Sequence, residues 1–213
     1  MCHAGALDNP VRRRWAPAER EVRILGPRPG DVVADLGTGV GFVLPELLKA
    51  VGAQGRVYAA DIDAENLTIA RDRVHGDPRV TFIEGSAAAV PGIPDASVDR
   101  VLLNLVLCCA VDKKGVLHES WRILKPGGVL LATYPLPLRL RRRSLAVTKP
   151  AWDELVRALP WVVLPVQSRW WFRRRMLRRP LAATGMNPPP KVRASGPGAL
   201  EQGHLPGPSS GTI

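Results

Sequence analysis

The chain has 213 residues, of which 46% are hydrophobic and 23% charged, and a formal net charge of +11. That length supports one well-buried domain with appendages and is too short for two of full size. Three cysteines do not make a disulfide framework, no apolar run reaches the roughly 18 residues of a membrane span, and the N-terminus lacks a secretory-signal pattern, so a reducing cytoplasm is the expected compartment.

The positive charge is concentrated. Residues 1–137 hold 16 Lys and Arg against 16 Asp and Glu, whereas residues 138–179 hold 12 against 2. One stretch of 42 residues therefore carries nearly all the excess, which predicts a directed basic surface and not an evenly basic protein.

Residues 1–25 read as an N-terminal arm, irregular at first and helical from about Ala18 to Leu25, where Gly26-Pro27 stops the helix. Residues 30–134 alternate short apolar runs with helical patterns, the signature of a parallel sheet with crossover helices. Strands are expected near 31–36, 56–61, 79–84, 98–105 and 128–134, and helices near 42–51, 64–75, 86–90 and 112–124. Asp63 is a natural N-cap for the second of these helices, and Lys125-Pro126-Gly127-Gly128 should end the last one. Beyond 150 come an amphipathic helix from Ala151 to Leu159, an apolar strand from Trp161 to Val166, and a further strand over Ser168–Phe172. Residues 180–213 carry 7 Pro and 6 Gly among 34 positions with little apolar periodicity, so they are expected to be disordered.

The chemistry concentrates at Val32-Val33-Ala34-Asp35-Leu36-Gly37-Thr38-Gly39-Val40-Gly41-Phe42. An apolar strand ending in an acid and alternating glycines lets a ligand lie against the main chain. A dinucleotide turn would need its third glycine one place later, where Phe42 stands, so a nicotinamide cofactor is disfavoured. The acid-x-G-x-G-x-G pattern resembles the first motif of the class I S-adenosylmethionine-dependent methyltransferases, in their small-molecule and quinone-type branch. Arg56–Asp63, Val80–Ala87, Asp99–Leu107 and Arg122–Gly128 resemble that family's later motifs in the same order, over roughly Gly26 to Tyr134.

The resemblance implies an α/β, Rossmann-like fold: a mostly parallel seven-stranded sheet flanked by helices, with an antiparallel C-terminal hairpin. It divides the chain into an arm or cap helix (1–25), an S-adenosylmethionine-binding domain (26–179) and the tail. Related arms fold over the cofactor or line the substrate pocket; a plain packing helix is the equal alternative. Asp35, Leu36, Gly37, Thr38, Gly39 and Gly41 would hold the methionine end, Asp61 the ribose hydroxyls, and Ile62 one face of adenine. Ser86 stands where the family has an aspartate that accepts from the adenine amino group, so that contact is uncharged here, with the Ala87 amide sharing it. Asn104 would lie beside the transferred methyl.

Leu105, Cys108, Cys109 and Tyr134 are the candidates for the acceptor pocket. Cys108-Cys109 stands where many small-molecule methyltransferases carry histidines. The pair reads either as small apolar packing or as thiols for a soft electrophile such as trivalent arsenic. No catalytic acid or base is assigned and no metal site is expected. Arg139, Arg141, Arg142 and Arg143, then Trp170-Trp171-Phe172-Arg173-Arg174-Arg175 with Arg178 and Arg179, admit three readings: RNA contact, peripheral contact with an anionic membrane, or a merely solvated surface. The expected activity is methylation of a small, lipophilic or quinone-like molecule. The alternatives are an RNA methyltransferase and a non-catalytic cofactor-binding partner protein.

Overall fold

The computed structural model describes residues 13–14, 17–135, 147–168 and 172–181. The first arginine cluster, Trp170-Trp171 and nearly all of the proline- and glycine-rich tail lie outside the described residues. The elements in chain order are α1 (Ala18–Leu25), β1 (Val32–Leu36), α2 (Leu44–Val51), β2 (Arg56–Asp61), α3 (Ala64–Arg73), β3 (Val80–Glu84), β4 (Val98–Asn104), α4 (Lys113–Ile123), β5 (Leu124–Pro135), α5 (Lys149–Arg157), β6 (Val162–Leu164) and β7 (Phe172–Arg178).

All seven strands form one sheet in the order β3-β2-β1-β4-β5-β7-β6. The first five pair in parallel, and β7 enters antiparallel between β5 and β6, so the expected architecture is found. The chain reverses its winding between β3 and β4, on either side of β1. That switch opens a crevice at the carboxyl end of the parallel strands, the general ligand position in such sheets.

Alternation along each strand sends side chains to two separate cores. Ala34, Leu36, Val101, Leu103, Leu130 and Ala132 meet α4 and α5 on one face. Val33, Leu102 and Leu131 meet α1, α2 and α3 on the other. On the α4/α5 face Trp121 and Trp161 pack edge to face, with centroids 4.8 Å apart at 85°.

Helix ends follow the local chemistry. Asp63 caps α3 by accepting from the Glu65 amide at 3.0 Å, as expected. Arg79, ion-paired to Asp77 at 2.6 Å, donates to the Leu48 and Gly52 carbonyls at the end of α2. Two expectations need correction. Residues 86–90 form no helix; Ser86 and Ala89 make an isolated bridge, because a short turn already satisfies these amides. The Lys125–Gly128 segment does not separate helix from strand. α4 ends at Ile123 and β5 begins at once, with Pro126-Gly127-Gly128 absorbed as an irregularity in its pairing with β4. The second expected strand near the C-terminus also lies later than its sequence suggests, at Phe172–Arg178 instead of 168–172.

The basic run in β7 does not form one solvated face. Its alternation turns Arg174 inward, where it is 1% exposed and makes a bidentate ion pair with Glu21 of α1, including Arg174 Nε to Glu21 Oε2 at 2.9 Å. Arg179 turns to the opposite face, over the Trp121 ring at 5.1 Å, and donates to the Trp121 and Leu124 carbonyls. Arg173 and Arg178 remain exposed.

Glu21 and Arg174 are 153 residues apart in sequence, so this pair ties the first helix to the last strand. Removing one partner strands a buried charge. Arg174→Met should lower unfolding free energy by about 3–5 kcal/mol in urea titrations, while Glu21→Leu combined with Arg174→Met should restore most of that loss.

Candidate cofactor and acceptor site

The crevice is built around the turn that leaves β1. Register sets Leu36 beside Ala60, so Asp61 stands level with Gly37; β4 runs on the other side, with Asp35 level with Leu102, which brings Asn104 to the same height. The wall is formed by Asp35, Gly37, Thr38, Gly39, Val40, Phe42, Val43 and Asn104.

Three positive-φ glycines make the turn, at +74° (Gly37), +54° (Gly39) and +71° (Gly41). Two of them also lack room for a side chain. A Cβ on Gly37 would stand 2.5 Å from Val106 Cγ2, and one on Gly41 would stand 2.9 Å from Ala70 Cβ on α3. Gly41 thus allows close helix approach, one place earlier than in a dinucleotide turn.

Hydrogen bonds fix this loop. The Gly37 and Thr38 amides donate to the Ala60 carbonyl at 2.7 and 2.9 Å. The Gly39 amide donates to Asp61 Oδ2 at 2.7 Å. Thr38 Oγ1 donates to Asp35 Oδ2 at 2.6 Å, so a threonine that looks like a neutral variant in the sequence is what orients the buried acid. Asp61 Oδ1 accepts from the Asp63 amide at 3.0 Å and from Asn66 Nδ2 at 3.4 Å. Sequence reasoning missed Asn66, although its place one turn into α3 behind Asp61 was the available signal. It also missed Val106, which no pattern marks.

The arrangement suits an adenosyl ligand with an aliphatic charged tail. A carboxylate offers about four lone-pair sites, so Asp61, which already accepts three hydrogen bonds, keeps one on Oδ2 for a sugar hydroxyl, and a second hydroxyl would have to replace the long Asn66 contact at 3.4 Å. Ile62 follows it with 73% of its surface exposed, an apolar side chain beside the carboxylate. Leu36 is fully buried and contributes main chain alone. Ser86 is exposed at the end of β3, next to the Gly85 amide that donates to the Asp61 carbonyl. Its Oγ accepts from the Ala88 amide at 3.2 Å, which occupies one lone pair and leaves the hydroxyl proton to donate; Ala87 beside it is half-buried.

On the other side of the crevice, Thr133 Oγ1 donates to Asn104 Oδ1 at 2.8 Å and the Leu105 amide to the Thr133 carbonyl at 3.0 Å. Leu105 itself lies at φ +66°, a left-handed conformation that costs about 1–2 kcal/mol for a side-chain-bearing residue. That strain sits where β4 hands over to the loop that carries Cys108 and Cys109. Cys108 is buried, donates to the Leu105 carbonyl at 3.0 Å and lies 3.6 Å sulfur to sulfur from Cys109. Burial pushes the Cys108 thiol up from its ordinary value, so it stays protonated at neutral pH. Tyr134, 3% exposed, closes the end of β5. Among the described residues, no group of His, Cys, Asp and Glu is placed to hold a metal.

Comparison with known proteins agrees with this geometry. Residues 34–132 match the family described as "Methyltransferase domain". The chain is 36% identical over 124 residues to the ubiquinone/menaquinone biosynthesis C-methyltransferase UbiE of Vibrio campbellii, covering 57% of this chain and 47% of that one. It is 32% identical over 123 residues to the UbiE of Hydrogenovibrio crunogenus, covering 57% and 48%. The chain therefore spans about half the length of these relatives. Among solved structures, a SAM-dependent methyltransferase from Aquifex aeolicus superposes with a TM-score of 0.74 at 24% identity, covering 83% of this chain and 96% of that one.

Two outcomes follow from the packing. Gly37→Ala should cost about 2–4 kcal/mol in urea denaturation, from the strained φ plus the clash, and Val106→Ala added to it should return the clash part only. Cys108 should react with iodoacetamide at pH 8 about tenfold or more slowly in the folded protein than in urea, as followed by peptide mass spectrometry.

Proposed function

We infer that this chain, whose residues 34–132 match the family described as "Methyltransferase domain", is a class I S-adenosylmethionine-dependent methyltransferase and transfers a methyl group to a small-molecule acceptor. The observation that carries the reading is the junction of the glycine turn with Asp61, whose carboxylate grips Gly39 at 2.7 Å beside the exposed Ile62. The resident cofactor is S-adenosylmethionine, which supplies an electrophilic methyl on a cationic sulfur. Asp61 would take the ribose, Ile62 and the Ser86–Ala87 turn the adenine, and the Gly37–Gly41 main chain with Asp35 the amino-acid end.

Displacement at that carbon requires alignment of two reactants more than an acid or base. Correct orientation accounts for up to roughly 7–11 kcal/mol of barrier in favourable cases. Asn104, held by Thr133, and the strained Leu105 give the acceptor side a rigid boundary. The Cys108 thiol is neutral and already donates to a carbonyl, so it serves as packing and not as a base. The two UbiE relatives are named as quinone-pathway C-methyltransferases, and this favours a ring-bearing, quinone-like acceptor here. The inward turn of Arg174 and Arg179 supports a small molecule over RNA, because it removes two cations from the surface a nucleic acid would use.

Calorimetry with S-adenosylhomocysteine should show binding to the wild type and about 10- to 100-fold weaker binding to Asp61→Ala. Transfer of a labelled methyl group into fractionated extract should then place the label among small organic molecules. Label confined to RNA would overturn the acceptor class; failure of S-adenosylhomocysteine to bind would overturn the reading entirely.

A further inference from the structure

The inward-facing arginines of β7 and of the residue just after it differ in one respect. Arg174 has the Glu21 carboxylate and Arg179 has two carbonyls, but Arg175 donates only its Nε, to the Tyr134 hydroxyl at 3.3 Å. Among the described residues its two terminal nitrogens have no acceptor. A half-buried guanidinium with four N–H groups unused is a fork shaped for an oxyanion.

The surroundings hold that fork in place. Its carbon lies 5.8 Å from the centre of the Trp152 ring, and Trp152 in turn stacks obliquely on Tyr134 at 6.2 Å. Trp152 and Tyr134 are each 3% exposed, so they form a rigid floor and not a mobile contact. Arg173 stands directly across from Tyr134 in the β5–β7 register and is exposed, which adds a second cation on the same face. The nearby carboxylate, Asp153, is taken by Lys149 at 2.7 Å. Its acidity is strengthened first by that lysine and then by Arg157 and Arg175, so the local field is positive.

The cluster stands at the same carboxyl end of the sheet as the crevice, on the face opposite Thr133. Tyr134 follows Thr133, whose hydroxyl fixes Asn104 on the crevice wall, and both residues stand at the carboxyl end of β5. We infer that Arg175, floored by Tyr134 and Trp152 and flanked by Arg173, is the subsite for an oxyanion carried by the methyl acceptor, either a carboxylate or an ionised phenol. This rests on the methyltransferase reading. It narrows the acceptor to a molecule that is anionic when bound, and an ionised phenol would also arrive with the electron-rich ring or oxygen that methyl transfer needs.

The test uses the full chain, with and without saturating S-adenosylhomocysteine, at low salt. Benzoate is titrated against its neutral isostere benzamide, and 4-nitrophenol is titrated spectroscopically as the phenol arm. The expected result is a preference of about tenfold or more for benzoate, or a downward shift of about one unit in the apparent pKa of bound nitrophenol. Benzoate preference alone identifies a carboxylate, and the nitrophenol shift alone identifies a phenolate. Arg175→Gln should abolish the effect with its melting temperature retained. Arg173→Gln, with no packing role, should reduce it by about two- to threefold. Arg178→Gln, exposed farther along β7, should leave it unchanged. Equal binding of benzoate and benzamide with no nitrophenol shift, or the same selectivity in Arg175→Gln, overturns the subsite. Anion selectivity that persists without any S-adenosylhomocysteine binding would keep the subsite and remove the methyltransferase reading.

Discussion

The hydrogen bond from the Gly39 amide to the Asp61 carboxylate, beside those of the Gly37 and Thr38 amides to the Ala60 carbonyl, joins the two strand ends on which the candidate site depends. It works only because β1 and β2 lie in parallel with Leu36 level with Ala60, so that Asp61, the last residue of β2, stands beside the turn that leaves β1. That register is imposed from below. Val33, Ala34, Leu36, Val57, Ala59 and Ala60 are all fully buried, and a slip by one residue would turn each to the wrong core. The glycines then do what the strands cannot, bending the chain through left-handed conformations under the Val106 side chain. Asn66, Thr38 and Ala60 hold the result from three directions.

The second organising fact is the fate of the basic run. Five arginines within seven positions look like a surface for polyanions when read as composition. In a strand, alternate residues go to opposite faces, and the central position of β7, between β5 and β6, buries much of both. One arginine becomes a clamp on the first helix, another a cap for the α4–β5 junction, and a third a half-buried cation beside Tyr134. The same charge therefore does three separate jobs, and only Arg173 and Arg178 of this strand remain for solvent.

The acceptor side is built differently from the cofactor side. On the cofactor side polar groups converge and satisfy one another through the main chain. On the proposed acceptor side Asn104 and Thr133 pair with each other beside a strained backbone, with Leu105 at φ +66° and Cys108 buried, donating to the Leu105 carbonyl. The span matched by the methyltransferase family, residues 34–132, includes the glycine turn, Asp61, Asn104 and Leu105 and ends just before Thr133 and Tyr134.

The sequence by itself determined the parallel α/β sheet, the places of its first five strands along the chain, and the glycine turn with an acid some twenty residues on. These were legible because glycine spacing, apolar alternation and a capping aspartate are local, and each leaves its mark within a few residues. Lys125–Gly128 misled for the same reason: its turn chemistry is real, but pairing with β4 absorbed it into a strand. Only the tertiary structure decided what Asn66, Val106, Glu21, Arg174 and Arg175 do. Their partners stand on other elements, up to 153 residues away in sequence, and such a pairing exists only once the sheet has set which face each residue takes.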